Sequence, residues 1–179
     1  MNKESDMPSK DVVDELVEVD GEEATSVLAS FYEVIGTVRA LQIGYHHAHA
    51  NVTGPNFYPD HVLLQRLYDW NSSVANIDEL MERFVGVFGE PVRMERVLAE
   101  VGDKYRKFLE PVDNAGTNEE RIAALHALEL DLQSLLDQMI ADIEELGEFD
   151  ELQQGVVDML QGVANTHQEA LYLLGQRLK

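Results

Sequence analysis

The sequence predicts an all-α protein, a bundle of four long helices with one long crossover. Three observations predict it. Four apolar stripes step by three and four residues along the chain, Gly and Pro stops fall between them, and one connection is much longer than the other two. Each stripe needs a partner face to bury it, and four such stripes are most simply buried against one another.

Residues 1–23 carry nine acidic side chains against Lys3 and Lys10 and few large apolar groups, which reads as a solvated tail. Within it, Val12, Val13, Leu16 and Val17 have the makings of a short docked turn. The bundle is expected over 24–179. Its first stripe is Val27, Phe31, Val34, Val38, Leu41, Tyr45, Ala48 and Val52. This is a helix of about 43 Å at about 1.5 Å per residue, stopped by Gly54-Pro55. The second runs Leu63, Leu67, Trp70, Val74, Ile77, Met81, Phe84 and Phe88 and closes at Gly89 and Pro91. Residues 92–110 predict a short helix through Val97, Val101, Tyr105 and Phe108 before Pro111. Thr117 or Asn118 can cap the third long helix, whose stripe is Leu125, Leu128, Leu132, Leu135, Met139, Ile143 and Leu146. Gly147 ends it. The fourth runs from Phe149 through Leu152, Val156, Met159, Val163, His167, Ala170 and Leu174 to Leu178. A single long crossover carrying a short helix between the second and third helices is the ferritin-like topology.

The chain has 179 residues, enough for one domain with a sizeable core, and a formal net charge of −21. That charge argues against general nucleic-acid binding, which needs clustered Lys and Arg, and favours cations as partners. The one basic cluster, Lys104, Arg106 and Lys107, reads as a solvated helix face. Without cysteine there are no disulfides, thiolate metal sites or cysteine nucleophiles. No apolar run is long enough to span a bilayer and no signal-peptide pattern opens the chain, so membrane partners are not expected and cytoplasm is the expected compartment.

The most informative stretch is His49 to His61, which sets two histidines on either side of a Gly54-Pro55-Asn56 turn between two helices. Such a turn brings two imidazoles towards one surface, and imidazole is a ligand for iron, zinc or copper. The run His49, Asn51, Gly54, Asn56, Phe57 and His61 resembles, in residues and in spacing, the first turn of the Dps family, the mini-ferritins. Ile77-Asp78-Glu79-Leu80-Met81-Glu82-Arg83 resembles the family's second metal motif. There Asp78 and Glu82, four apart, share one helix face and suit a hard cation such as Fe²⁺. The resemblance implies that His49 and His61 come from one subunit and Asp78 and Glu82 from its neighbour. Gln65 stands where the family has a further carboxylate, and Ala50 where it has Trp. Asp78 lies two residues farther from His61 than the family pattern. Two residues turn a regular helix by about 200°, so both pairs share a face only if the helix bulges between them.

Of the other histidines, His46 and His47 fall on other faces of the first helix and read as solvated. His126 lies one position off its stripe, and His167 lies within one as a satisfied core residue. Leu64, Tyr68, Leu130, Leu136 and Ile140 lie off the stripes and suggest contact faces between subunits. Asp142, Glu144, Glu145, Glu148, Asp150 and Glu151 crowd the turn between the third and fourth helices. On their own they read as a solvated turn beside a helix start. The resemblance makes Asp142, Glu145, Glu148 and Asp150 candidates for lining a pore through which ions pass. It also implies a function: Fe²⁺ oxidation by peroxide or oxygen, with ferric iron stored in a hollow homo-oligomer, a dodecamer. DNA binding is not expected from so acidic a tail. The alternative is a non-enzymatic shell or interaction protein that has lost its iron site.

Overall fold

A computed structural model describes residues 21–72, 74–113, 116–145 and 151–179, with backbone alone described at 21–26, 74–76 and 151–153. Residues 1–20 of the expected acidic tail lie outside the described residues. The elements are α1 (Gly21–Ala50), α2 (Phe57–Asn71), α3 (Val74–Phe88) and α4 (Met94–Lys104). A π-helical turn (Tyr105–Leu109) and α5 (Glu110–Asp113) continue α4, followed by α6 (Asn118–Glu145) and α7 (Glu151–Arg177). Every described element is helical. The bundle is α1, the α2–α3 pair, α6 and α7, and the crossover from Phe88 to Asn118 carries α4 to α5, as the long connection predicts.

The stripe of α1 is buried from Val27 to Ala48, and Val52 just beyond the helix is buried too, because this helix packs against α2, α3, α4 and α6. On α6 the expected Leu125, Leu128, Leu132, Met139 and Ile143 are buried, and on α7 Val156, Met159, Val163, His167, Ala170 and Leu174. Leu146 and Phe149 lie outside the described residues. Phe31 and Tyr32 of α1 meet Phe84 and Phe88 of α3 edge-on, with ring centroids 4.9 to 6.0 Å apart. Each such contact contributes about 0.5–1.5 kcal/mol beyond its buried area and fastens α3 to α1. Gly36 marks the close approach of α1 and α4, since a Cβ there would meet the Cβ of Glu100 at 2.3 Å.

Four expectations are corrected. The second long helix is two helices, interrupted after Asn71, where the Ser72 amide closes the last turn of α2 on the Tyr68 carbonyl. The crossover helix runs through Pro111 to Asp113 by way of the π-turn. Leu64 and Leu136 are fully buried in this chain's own core and are no contact faces; Leu130 is exposed. Lys104 is no solvated base: it is buried and donates to Glu33 on α1 (2.7 Å) and Asp131 on α6 (2.6 Å). Burial opposes its charge, but the two carboxylates outweigh this and raise its pKa.

Thr117 caps α6. Its Oγ1 accepts the Glu120 amide at 3.2 Å while Glu120 Oε2 accepts the Thr117 amide at 2.7 Å, a reciprocal capping box. Asn118 is thereby free to reach elsewhere.

Candidate metal-binding site

The chain leaves α1 at Ala50 and turns at Gly54, whose φ of +83° is a left-handed conformation that favours glycine. The Phe57 amide donates to the Gly54 carbonyl at 3.1 Å, and α2 begins. This sharp return brings His49, in the last turn of α1, onto His61, in the first turns of α2. Their rings stack with centroids 3.9 Å apart and planes at 29°. Phe57 stacks on His61 at 5.1 Å. His49 Nδ1 lies 3.2 Å from the His61 carbonyl oxygen, which can only accept, so Nδ1 is the donor of this contact and Nε2 is the nitrogen left for a ligand. A backbone partner on one ring nitrogen is the usual way of orienting a metal-ligating histidine. His61 Nδ1 is buried with no hydrogen-bond partner.

The buried residue before His61 holds this turn in place. Asp60 is fully buried and accepts from Arg177 Nε at 2.5 Å and from Arg177 Nη2 at 3.1 Å, a bidentate pair between α2 and the last turn of α7. Asn118 Nδ2 lies 3.2 Å from the same carboxylate and 2.7 Å from the Thr53 carbonyl, while Asn118 Oδ1 accepts the Thr53 amide. Three helices thus converge on one loop. Asp60 carries no sequence sign of this role, because an acid in a first helical turn is ordinarily a solvated one favoured by the helix dipole.

The remaining predicted ligands lie elsewhere. Gln65 follows one turn after His61 and commits its amide nitrogen to Asp69 at 2.8 Å. Asp78 and Glu82 are exposed on α3. No three His, Asp or Glu side chains gather round one point among the described residues, so a single chain brings His49 and His61 together but does not close a site with Asp78 and Glu82. The interruption after Asn71 bears on their placement. On one unbroken helix at about 100° per residue, the α3 stripe (Ile77, Leu80, Phe84) would point about 220° round from the α2 stripe (Leu64, Leu67, Asn71). That is close to the roughly 200° that two extra residues add. Measured from the buried stripe of its own helix, Asp78 stands about 130° round, on the same flank as Gln65 (about 130°) and His61 (about 90°). The interruption thus offsets a rotation of about two residues for Asp78, while Glu82, by the same reckoning, stands about 170° round.

Of the acidic turn, Asp142 is partly buried and accepts from Gln138 at 2.6 Å, and Glu145 is exposed. Glu148 and Asp150 lie outside the described residues. His46 is exposed and stacks on Tyr68, with centroids 4.6 Å apart. His47 pairs with Asp113 at 2.9 Å.

Deep in the bundle, Glu129 of α6 is fully buried and joins α1 to α7. It accepts from the Tyr45 hydroxyl at 2.5 Å and pairs with His167 Nδ1 at 2.7 Å. Burial, then the charge and hydrogen bond of Glu129, push the Tyr45 phenol well above its ordinary pKa. His167 is thus half satisfied, for its Nε2 is buried without a partner.

No protein-family model matches the chain, and neither does any curated protein. Solved structures do. A Dps protein from Bacillus brevis superposes with a TM-score of 0.70 at 22% identity, covering 87% of this chain and 96% of that one. A Dps homologue from the archaeon Halobacterium salinarum gives 0.70 at 19% identity, with 97% and 87% covered. The Dps protein of Vibrio cholerae, described as a member of a broad superfamily of ferritin-like diiron-carboxylate proteins, gives 0.70 at 14% identity, with 89% and 93% covered. The chain has a Dps-like, ferritin-like fold.

Proposed function

We propose that this protein is a Dps-like mini-ferritin that binds and oxidises Fe²⁺ and keeps the ferric product inside a homo-oligomeric shell, a dodecamer. The observation that carries the reading is the His49–His61 pair, stacked across the Gly54 turn in a fold of this type. Its oriented imidazole and the unpartnered His61 Nδ1 offer a borderline cation such as Fe²⁺ two nitrogen donors. Asp78 and Glu82, supplied by a neighbouring subunit, add the carboxylates that favour the ferric state and so electron loss to peroxide or oxygen. Peroxide takes two electrons, one from each of two Fe²⁺ ions, and two protons to give water. Twelve chains of net charge −21 carry roughly −250, a field that concentrates Fe²⁺ at the shell and, through pores lined by Asp142, Glu145, Glu148 and Asp150, inside it. Iron is thus substrate and cargo.

A second reading is a shell or interaction protein without ferroxidase activity. Gln65, a neutral amide already engaged by Asp69, favours it, because the site then lacks one charge of its own. Stopped-flow Fe²⁺ oxidation, with and without peroxide, decides between them. The ferroxidase reading expects His49→Ala and His61→Ala each to abolish fast oxidation while the shell persists in light scattering. Wild-type protein no faster than buffer would move the assignment to the inactive shell. A monomer of about 20 kDa at physiological salt would remove storage from both.

A further inference from the structure

On the flank of α1 away from His61, a cavity of about 230 Å³ opens between α1, the π-turn and α6. Leu109 and Leu125 line its apolar side, and His47, Tyr105, Asp113 and Arg121 its polar side. Three of these polar groups are already in contact. His47 Nε2 lies 2.9 Å from one oxygen of Asp113, and the Tyr105 hydroxyl donates to the other. Arg121 lends one Nη to the Asn51 carbonyl at a long 3.5 Å, while its Nε is buried without any partner.

The π-turn is what makes this grouping possible. Tyr105 and Asp113 are eight residues apart, which on a regular α-helix leaves them about 80° out of line. A π-turn takes up one extra residue, so the pair spans the equivalent of seven positions and falls within about 20° of one line. Regular helix would point one of the two away from His47. Such turns cost backbone regularity and recur at functional sites.

We propose that this cavity binds a ferric ion together with a small oxyanion, the ion held by His47, Tyr105 and Asp113 and the anion by Arg121. A phenolate, a carboxylate and an imidazole form a hard, charge-rich donor set suited to Fe³⁺. The ion takes the place of the proton that Tyr105 shares with Asp113, and that proton leaves to solvent. Three protein donors leave further positions open on an octahedral ion. A guanidinium with an unused N–H is the group that recognises a bidentate oxyanion such as carbonate or phosphate. The apolar wall limits water and strengthens each charge interaction. Because Tyr105 is one of the donors, three His, Asp or Glu side chains are not required for the site. Its residues are not those of the His49–His61 pair, and it stands whether or not that pair oxidises iron.

Phenolate bound to Fe³⁺ is coloured, which gives a direct test. Ferric nitrilotriacetate is added to the iron-free full-length protein in bicarbonate buffer, and the visible phenolate-to-iron charge-transfer band is followed. The expected result is a band saturating near one iron per chain, absent from Tyr105→Phe and retained by Tyr68→Phe and by the His49→Ala/His61→Ala double variant. Arg121→Gln should weaken iron retention against a competing chelator by about tenfold or more, as loss of an outer partner does, and should remove its dependence on bicarbonate. Circular dichroism checks that Tyr105→Phe is folded. No band, or a band that survives in Tyr105→Phe, overturns the proposal. A band lost in the histidine double variant assigns the phenolate to the other site and overturns it equally. If Asp113 merely ties the crossover to α1, Tyr105→Phe lowers stability and no band forms in any variant.

Discussion

Asp60→Asn is the sharpest probe of how the fold holds the histidine pair. The substitution keeps shape and one acceptor oxygen but removes the charge from a fully buried position, leaving Arg177 facing an amide. Breaking a wholly buried ion pair costs about 3–5 kcal/mol. The Arg177 side chain is 25% exposed, so water recovers part of that, and about 2–3 kcal/mol is expected. For a chain of this size the loss lowers Tm by roughly 5–10 °C. A double-mutant cycle with Arg177→Gln, run by urea denaturation at fixed protein concentration, isolates the pair itself. The coupling should be about 1.5–2.5 kcal/mol, and Asp60→Asn should cost little once Arg177 is gone. Because Asp60 immediately precedes His61, Asp60→Asn should also weaken metal binding at the histidine pair without touching a ligand. A coupling below about 0.5 kcal/mol would show that the bidentate geometry carries no energy. The idea that this pair holds the loop would then fall.

Three further outcomes follow from the same interior. Glu129→Ala leaves the Tyr45 hydroxyl and His167 Nδ1 both without partners in the core, at about 1–3 kcal/mol each. Thermal melts should show a loss near 10 °C, and Glu129→Gln, which keeps an acceptor, a clearly smaller one. Burial works against the Asp131 carboxylate, yet the bonds from Lys104 and Lys107 outweigh it and hold its pKa below the ordinary value. Its stabilisation is therefore full above the ordinary carboxylate range and lost as pH falls through the lowered value, so urea midpoints of Lys104→Met should vary less with acidity than those of the unchanged protein. Duplex DNA should show no retardation by metal-free protein at moderate salt, since Lys104 is spent inside the fold and net charge is −21; a clear shift would contradict this.

The helices of this bundle were legible where an apolar stripe met a strong stop, as at Gly54-Pro55 after α1. The interruption after Asn71 was not. Leu67, Trp70, Val74 and Ile77 step by four and three straight through it, and the only local signal was Ser72-Ser73, two indifferent helix formers. The register of the two halves is set instead by which residues reach the core. His49 and His61 were legible because two ligating side chains and a reversing turn lay in one short stretch. Glu129 and Lys104 were not, although each carried a readable sign. Glu129 sits on the stripe, four after Leu125 and three before Leu132, and Lys104 stands three after Val101 and four before Phe108. A charge on an apolar stripe needs a buried partner, but that partner is remote in sequence. Glu129 meets His167 at a separation of 38 residues, and Lys104 meets Glu33 at 71. The π-turn had no signal in residue type at all.

The joint between α2 and α3 has a consequence for how such chains tolerate change. Because each half finds its rotation by burying its own stripe, residues gained or lost at the joint need not propagate into either half. The usual penalty for an insertion inside a long helix, the turning of every later side chain to a new direction, is confined here to the joint. Chains of this architecture can then differ by a residue or two at the joint while each helix keeps its own exposed face. A search by fixed spacing would pass such chains over, whereas aligning each helix separately on its buried face would find them.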